Sequence, residues 1–259
     1  MGNTLQPKKI YAKSVFLCFL LSSALIGDDF SSSKSFITPN YSFKNISINT
    51  LDWSQNTHAK TPKEDFSYLE LEGGAGWDWG EFYMFFDLEN PLAKYKDSSS
   101  DAQRLAFKPI LDINLYQKLA LHVHDYNFHS NAYYIHNLIT GISYKITSDF
   151  GLWIRPFVGS HYQESSFYSG YNGVMAGWTF HYAFTVLEQK FSLAQWHEMT
   201  FARNEQDGYA NKNGTQGALS FWWHPNTAIT TGIQYRYAKN ELGYQELQEG
   251  FVYSLKYNF

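Results

Sequence analysis

The chain has 259 residues, a formal net charge of -4 and a mean hydropathy of -0.39. The acidic balance argues against a nucleic-acid-binding face, which needs clustered Lys and Arg, and the polar mean hydropathy argues against a bundle of membrane helices. Yet 20 Tyr, 21 Phe and 8 Trp make 19% of the residues, more than a soluble core requires, and Tyr and Trp favour membrane-water interfaces.

Residues 1–27 have the layout of a secretory signal peptide. Lys8, Lys9 and Lys13 precede the apolar run SVFLCFLLSSALIG, too short for a comfortable spanning helix and followed at once by Asp28 and Asp29. Cleavage after Ala24 or after Gly27 fits the small residues there. Removal takes three lysines and no acid, moving the net charge from -4 to -7, and it takes the single cysteine, Cys18, leaving no thiol, disulfide or Cys-based metal site. Residues 28–44 form a short N-terminal segment, too small for a plug and expected to be a periplasmic tail or a lumen-side cap. No plug precedes the first strand, which argues against energy-coupled transport.

From residue 45 to residue 259 one pattern repeats: apolar and polar residues alternate with period two between clusters of Gly, Asn, Asp, Ser and Pro. FKPILDINL sets Phe107, Leu111, Ile113 and Leu115 against Lys108, Asp112 and Asn114. NLITGISYKITSD sets Leu138, Ile142, Tyr144 and Ile146 against Gly141, Ser143 and Lys145. TTGIQYRYAKN sets Thr231, Ile233, Tyr235 and Tyr237 against Gly232, Gln234 and Arg236. The strand centres fall near Ile48, Leu69, Tyr83, Leu111, Tyr126, Ile142, Ile154, Ala176, Leu193, Leu219, Ile233 and Tyr253, which makes twelve. The alternation slips phase in the fifth and ninth, and Pro109 and Pro156 sit inside strands, where each removes a ladder donor and is expected at a bulge or strand end.

A soluble sandwich shows the same alternation. A membrane barrel is favoured by aromatics at strand ends, Trp77 and Trp79 in GWDWGEF and Trp222 and Trp223 in SFWWHPN, where an interfacial girdle sits. It is also favoured by connection lengths: short turns near Gly73 to Gly76, Thr147 to Phe150, Thr185 to Gln189 and His224 to Asn226 alternate with longer stretches such as ENPLAKYKDSSSDAQ, ARNEQDGYANKNGTQ and AKNELGYQELQEG. The expected fold is an all-β transmembrane antiparallel barrel of 12 strands, with Phe251, Tyr253, Leu255, Tyr257 and Phe259 of the last strand facing lipid and that strand pairing with the first to remove the sheet's edges.

The second and third strands, FSYLELEGGAGWDWGEFYMFFDLENPL, carry Tyr68, Leu69, Glu70, Glu72, Asp78, Trp79, Phe82, Tyr83 and Asp87. This pair resembles the paired-strand signature of the nucleoside-specific channel (Tsx) family of Gram-negative outer membranes, and the strand spacing of nearly the whole mature chain is similar too. Gly80 and Glu81 depart from the pattern, as does the lysine-free turn GGAG, which bears on the permeant more than on the fold. The resemblance implies a narrow, monomeric outer-membrane barrel passing nucleosides and deoxynucleosides passively. No cofactor is expected; the aromatic Phe259 ending an alternating last strand resembles the signal that the barrel-assembly machinery recognises, and the loops are where phage or colicin binding would fall.

With the polar phase taken as the lumen, Tyr68, Glu70, Glu72, Glu81, Tyr83, Phe85, Asp87, Lys108, Asp112 and Asn114 point inward. So do Arg155, Phe157, His161, Thr179, His181, Gln234, Arg236 and Lys256, with acids expected on one arc and bases on the other. Of these, the substrate-contacting set is Tyr68, Glu70, Glu72, Glu81, Tyr83, Phe85, Asp87, Asp112, Arg155, Phe157, Arg236 and Lys256. Rings stack on a nucleobase, carboxylates accept from ribose hydroxyls, and Arg and Lys donate to ring and sugar oxygens. The same charges also form networks that fill a small barrel, so a general small-solute porin and a closed structural barrel are the alternatives.

An outer-membrane esterase or phospholipase is disfavoured because His129 and Ser130 in FHSNAYY are adjacent and face opposite sides of a strand. His122 and His124 in LHVHD share a face near Asp125, but no third ligand stands at telling spacing, so no metal is expected.

Overall fold

Period-two alternation without a break for helices has one outcome in a chain that must satisfy its backbone inside lipid, a sheet closed on itself. The computed structural model describes residues 36–94, 102–204 and 211–259. The signal peptide with Cys18 and both cleavage points, and residues 28–35 of the N-terminal segment, lie outside the described residues.

The strands are β1 (Tyr41–Trp53), β2 (Phe66–Trp77), β3 (Gly80–Glu89), β4 (Arg104–Tyr116), β5 (Leu119–His129), β6 (Tyr134–Tyr144), β7 (Ile146–Thr147), β8 (Leu152–Ser165), β9 (Ser169–Val186), β10 (Gln189–Phe201), β11 (Gly214–His224), β12 (Ile229–Glu241) and β13 (Tyr244–Asn258), with one short helix, α1 (Gln55–Lys60). Each strand pairs antiparallel with its sequence neighbour; β1 pairs with β13, and β6 with β8, so the sheet closes. β7 is a two-residue continuation of β6 beyond Lys145, and the barrel wall therefore has twelve strands. All twelve expected strand centres fall inside these elements.

Pro156 explains the interruption. Opposite it the β6 to β8 ladder stops at Ser143↔Phe157 and resumes as Ile146↔Ile154 in β7. Proline has no N–H to offer there; on the other edge of β6 the ladder with β5 runs on unbroken, Lys145 donating its N–H to Lys118 O at 3.0 Å. Pro109 sits in a matching gap of the β4 to β5 ladder, between Phe107↔Asn127 and Ile110↔His124.

Two expected connections are placed differently. Gly73 to Gly76 do not form a turn but belong to β2, pairing with Lys44 to Tyr41, and the turn lies at Asp78 and Trp79. The glycines are flat platforms: a Cβ on Gly76 would lie 2.2 Å from the Tyr41 ring. β1 accordingly begins at Tyr41 rather than at Asn45. AKNELGYQELQEG is not a long loop either; β12 and β13 run on past the apolar band, paired to Glu241↔Tyr244, and meet in a turn at Leu242 and Gly243.

The faces sort by exposure. Along β13, Phe251, Tyr253, Leu255, Tyr257 and Phe259 are 45 to 58% exposed toward lipid, whereas Val252 and Ser254 between them are buried on the lumen side. The irregular β5 and β10 carry polar groups on both faces: outward Asp125 pairs with His136, and outward His197 bonds Tyr237 Oη at 2.6 Å. At the turn side, Trp77 and Trp79 donate their indole N–H groups to Ile37 O and Phe36 O at 2.8 and 3.1 Å, holding residues 36 and 37 against the first turn.

Candidate functional site

Register settles which side chains share the lumen. Glu70 stands opposite Ser47 and Asp87, Glu81 opposite Asp112, Arg155 opposite Thr179, and Arg236 opposite Ala218 and Gly250. The same parity places Tyr68, Glu72, Tyr83, Phe85, Phe157 and Lys256 on that face. All twelve residues singled out by alternation therefore line one interior surface. Trp222, assigned above to the interfacial girdle, lies opposite Ser192 and Gly232 and also faces inward, beneath the Lys256 ammonium at 4.4 Å.

Acids and bases do not segregate into opposite arcs. Lys256 from β13 reaches Glu72 Oε2 at 2.7 Å and Glu70 Oε1 at 3.6 Å on β2. Arg155 from β8 holds Glu81 Oε2 at 2.9 Å and Asp112 Oδ2 at 2.7 Å, and Lys145 holds Glu81 Oε1 at 2.5 Å. Lys108 of β4 pairs with Glu198 of β10 across the lumen. Each of these carboxylates is matched by a cation, since breaking a buried pair costs about 3 to 5 kcal/mol.

Beside the first of these networks, Tyr83 donates its hydroxyl to Glu72 Oε1 at 2.9 Å, and Asn45 Nδ2 donates to Glu72 Oε2 at 3.0 Å. Asp87, opposite Glu70, differs from its neighbours: its Oδ1 is buried without a hydrogen-bond partner. Tyr68, Tyr126, Glu89 and Arg236 surround it within electrostatic range. Arg236 lies over the Trp196 ring at 5.6 Å, and Lys108 over the same ring at 5.9 Å.

A third group fills the middle of the barrel. Asp112 Oδ1 accepts from His122 Nδ1 at 2.8 Å and from Ser143 Oγ at 2.5 Å, and His122 Nε2 lies 3.1 Å from His124 Nδ1. Phe157 stacks on His122 at 4.5 Å and meets His124 edge-on, while His161 bonds Asn137 at 2.9 Å. These imidazoles and Asp112 are nearly inaccessible to solvent. Asp125 is on the outer face with His136, so it does not join His122 and His124. Among the described residues no group of three or more His, Cys, Asp or Glu side chains is set to hold a metal ion.

Ser130 and His129 are not assembled as nucleophile and base. Ser130 Oγ is bound to Tyr133 O at 3.0 Å, and the His129 ring stacks on Tyr134.

Over the loop-side mouth, Lys63 reaches back from the connection between α1 and β2 to lie 5.2 Å from the Trp53 ring and 5.5 Å from the Tyr244 ring. Burial, together with the nearby Arg236 and Arg104, lowers its pKa to about 8. Arg104 pairs with Glu89 at 2.5 Å and covers the Phe66 ring at 4.6 Å.

The interior is thus a polar, two-signed surface interleaved with aromatic rings. Residues 48–259 match the family described as nucleoside-specific channel-forming protein, Tsx. The chain belongs to that family. Tsx-family membership makes it an outer-membrane channel protein, and it is a family of channels rather than of enzymes. Among solved structures the chain is similar to the NanC porin, at 13% identity and a TM-score of 0.48, covering 83% of this chain and 98% of that one. It is also similar to an outer membrane channel from Pseudomonas putida F1, at 12% identity and a TM-score of 0.43, covering 89% and 99%.

Glu198, Trp196 and Trp222 also face the lumen, from strands whose phase slips or that end in aromatics; a charge at Glu198 two residues from the indole at Trp196 is the signal the sequence carries for them.

Proposed function

We propose that the barrel passes nucleosides and deoxynucleosides passively and selectively, by transient binding along the lumen. The observation that carries this reading is Asp87. A buried carboxylate oxygen without a partner, next to Tyr68, Tyr126 and Arg236, offers what a ribose hydroxyl and a flat base together require. Membership of a nucleoside-specific channel family supports the same substrate class. Passage needs release as well as capture, so the affinity is weak, roughly millimolar or about 4 kcal/mol.

The test is single-channel current in planar bilayers, titrated with adenosine and thymidine. Block by both nucleosides is expected at millimolar concentration. Asp87→Ala is expected to raise the half-blocking concentration about tenfold, the loss of one hydrogen bond to the permeant. Current that persists unblocked at high millimolar nucleoside would remove the nucleoside reading and leave a general porin.

The packed middle of the lumen, around Ile139, Phe157, Met175 and the histidines, favours a second reading, a structural barrel. Absence of any current from folded protein would decide for it.

A further inference from the structure

At the turn-side mouth, which faces the periplasm in outer-membrane barrels, the β5 to β6 ladder continues one step past Leu119↔Tyr144, with the Lys145 N–H bonding the Lys118 carbonyl at 3.0 Å, so that two lysines stand side by side. Their side chains and that of Arg155 line one cavity of about 150 Å³ together with Glu81, Thr147 and Asn114.

The charges in its wall do not balance. Among the described residues Glu81 is the one carboxylate of the cavity wall, and both of its oxygens are taken: Oε1 by Lys145 at 2.5 Å and Oε2 by Arg155 at 2.9 Å. Asp112, behind Arg155, takes that guanidinium's other nitrogen at 2.7 Å. The Lys118 ammonium is bonded to the Thr147 hydroxyl at 3.2 Å, with an acceptor that carries no charge. An ammonium has three donors.

We propose that this cavity is a binding site for a small oxyanion of the phosphate class, held by Lys118 with Lys145 and Arg155 at its sides. Phosphate oxygens are acceptors only, which suits a wall of ammonium, guanidinium, hydroxyl and amide groups. A phosphoryl group fits a cavity of about 150 Å³. The site stands apart from Asp87, and its existence does not depend on what passes there.

The test is binding of inorganic phosphate to the folded full-length protein in a phosphorus-free detergent, followed by phosphorus NMR line broadening at constant ionic strength. Broadening that sulfate reverses and chloride does not is expected. Lys118→Gln is expected to weaken binding about tenfold, and Lys118→Arg to retain it, both with the heat-modifiable mobility of a folded barrel. Equal displacement by chloride and sulfate, or broadening unchanged in Lys118→Gln, would reduce the cavity to charge screening and overturn the proposal; the first of these is read on the unaltered protein and stands even if a variant fails to fold. Adenosine monophosphate binding more tightly than phosphate would identify a phosphorylated nucleoside as the source of the anion, and equal or weaker binding would identify free phosphate; both retain the site. Displacement of phosphate by uncharged adenosine would overturn it.

Discussion

Lys108 and Glu198 meet across the interior of the barrel, from β4 and β10, ninety residues apart in sequence. Glu198 is further held by Gln216 Nε2 at 3.1 Å. Removing one member leaves the other buried and unpaired. Glu198→Gln and Lys108→Met are each expected to lose about 3 to 5 kcal/mol, and the double variant less than the sum of the two. The readout is the temperature at which the folded, heat-modifiable species disappears. Because the pair bridges the lumen, the double variant is also expected to conduct more current per channel. Strictly additive losses would show that the two charges do not depend on each other.

Lys63 gives a pH dependence with a definite sign. Its pKa in the folded protein, about 8, lies below the ordinary 10.5. Between these values the unfolded chain holds a proton that the folded one has released, so stability rises with pH through that window. Below pH 8 the full cost of the buried ammonium is present. Lys63→Met should therefore raise the thermal midpoint at pH 7, and the gap to the unaltered protein should close as pH increases toward 10.5. A gap that is the same at pH 7 and pH 10 would assign the effect to packing against Trp53 and Tyr244 rather than to charge.

Gly141 faces Gly159 at the β6 to β8 seam. A Cβ there would lie 1.9 Å from Val158 O and 2.4 Å from Gly159 Cα, contacts that backbone cannot relieve without opening the ladder. Gly141→Ala is expected to cost more than the usual ~1–3 kcal/mol of overpacking and to yield little folded barrel in detergent. Thr140→Ala, on the outer face of the same strand, is expected to fold as the unaltered protein does. Near-normal recovery of Gly141→Ala would mean that the seam tolerates displacement.

Much of this architecture is legible in the alternation alone. A period of two fixes which residues share a face, and so Glu70, Asp112, Arg155 and Lys256 fall on the lumen wall wherever the strands end. The pairing of charges is not legible, because which acid meets which base depends on the stagger of strands around the barrel, a property of closure rather than of any segment. Gly76 misled for a different reason: a glycine that lets the Tyr41 ring lie on the sheet has the same sequence signature as one that turns the chain. Trp222 misled because an indole beneath an ammonium and an indole at a membrane surface both sit near strand ends.

The interior ion pairs have a mechanical meaning. Lys108 with Glu198, and Arg155 with Asp112, tie together staves that are not neighbours in the wall, like spokes that keep a hoop round. The route through the barrel and its bracing are therefore made of the same atoms.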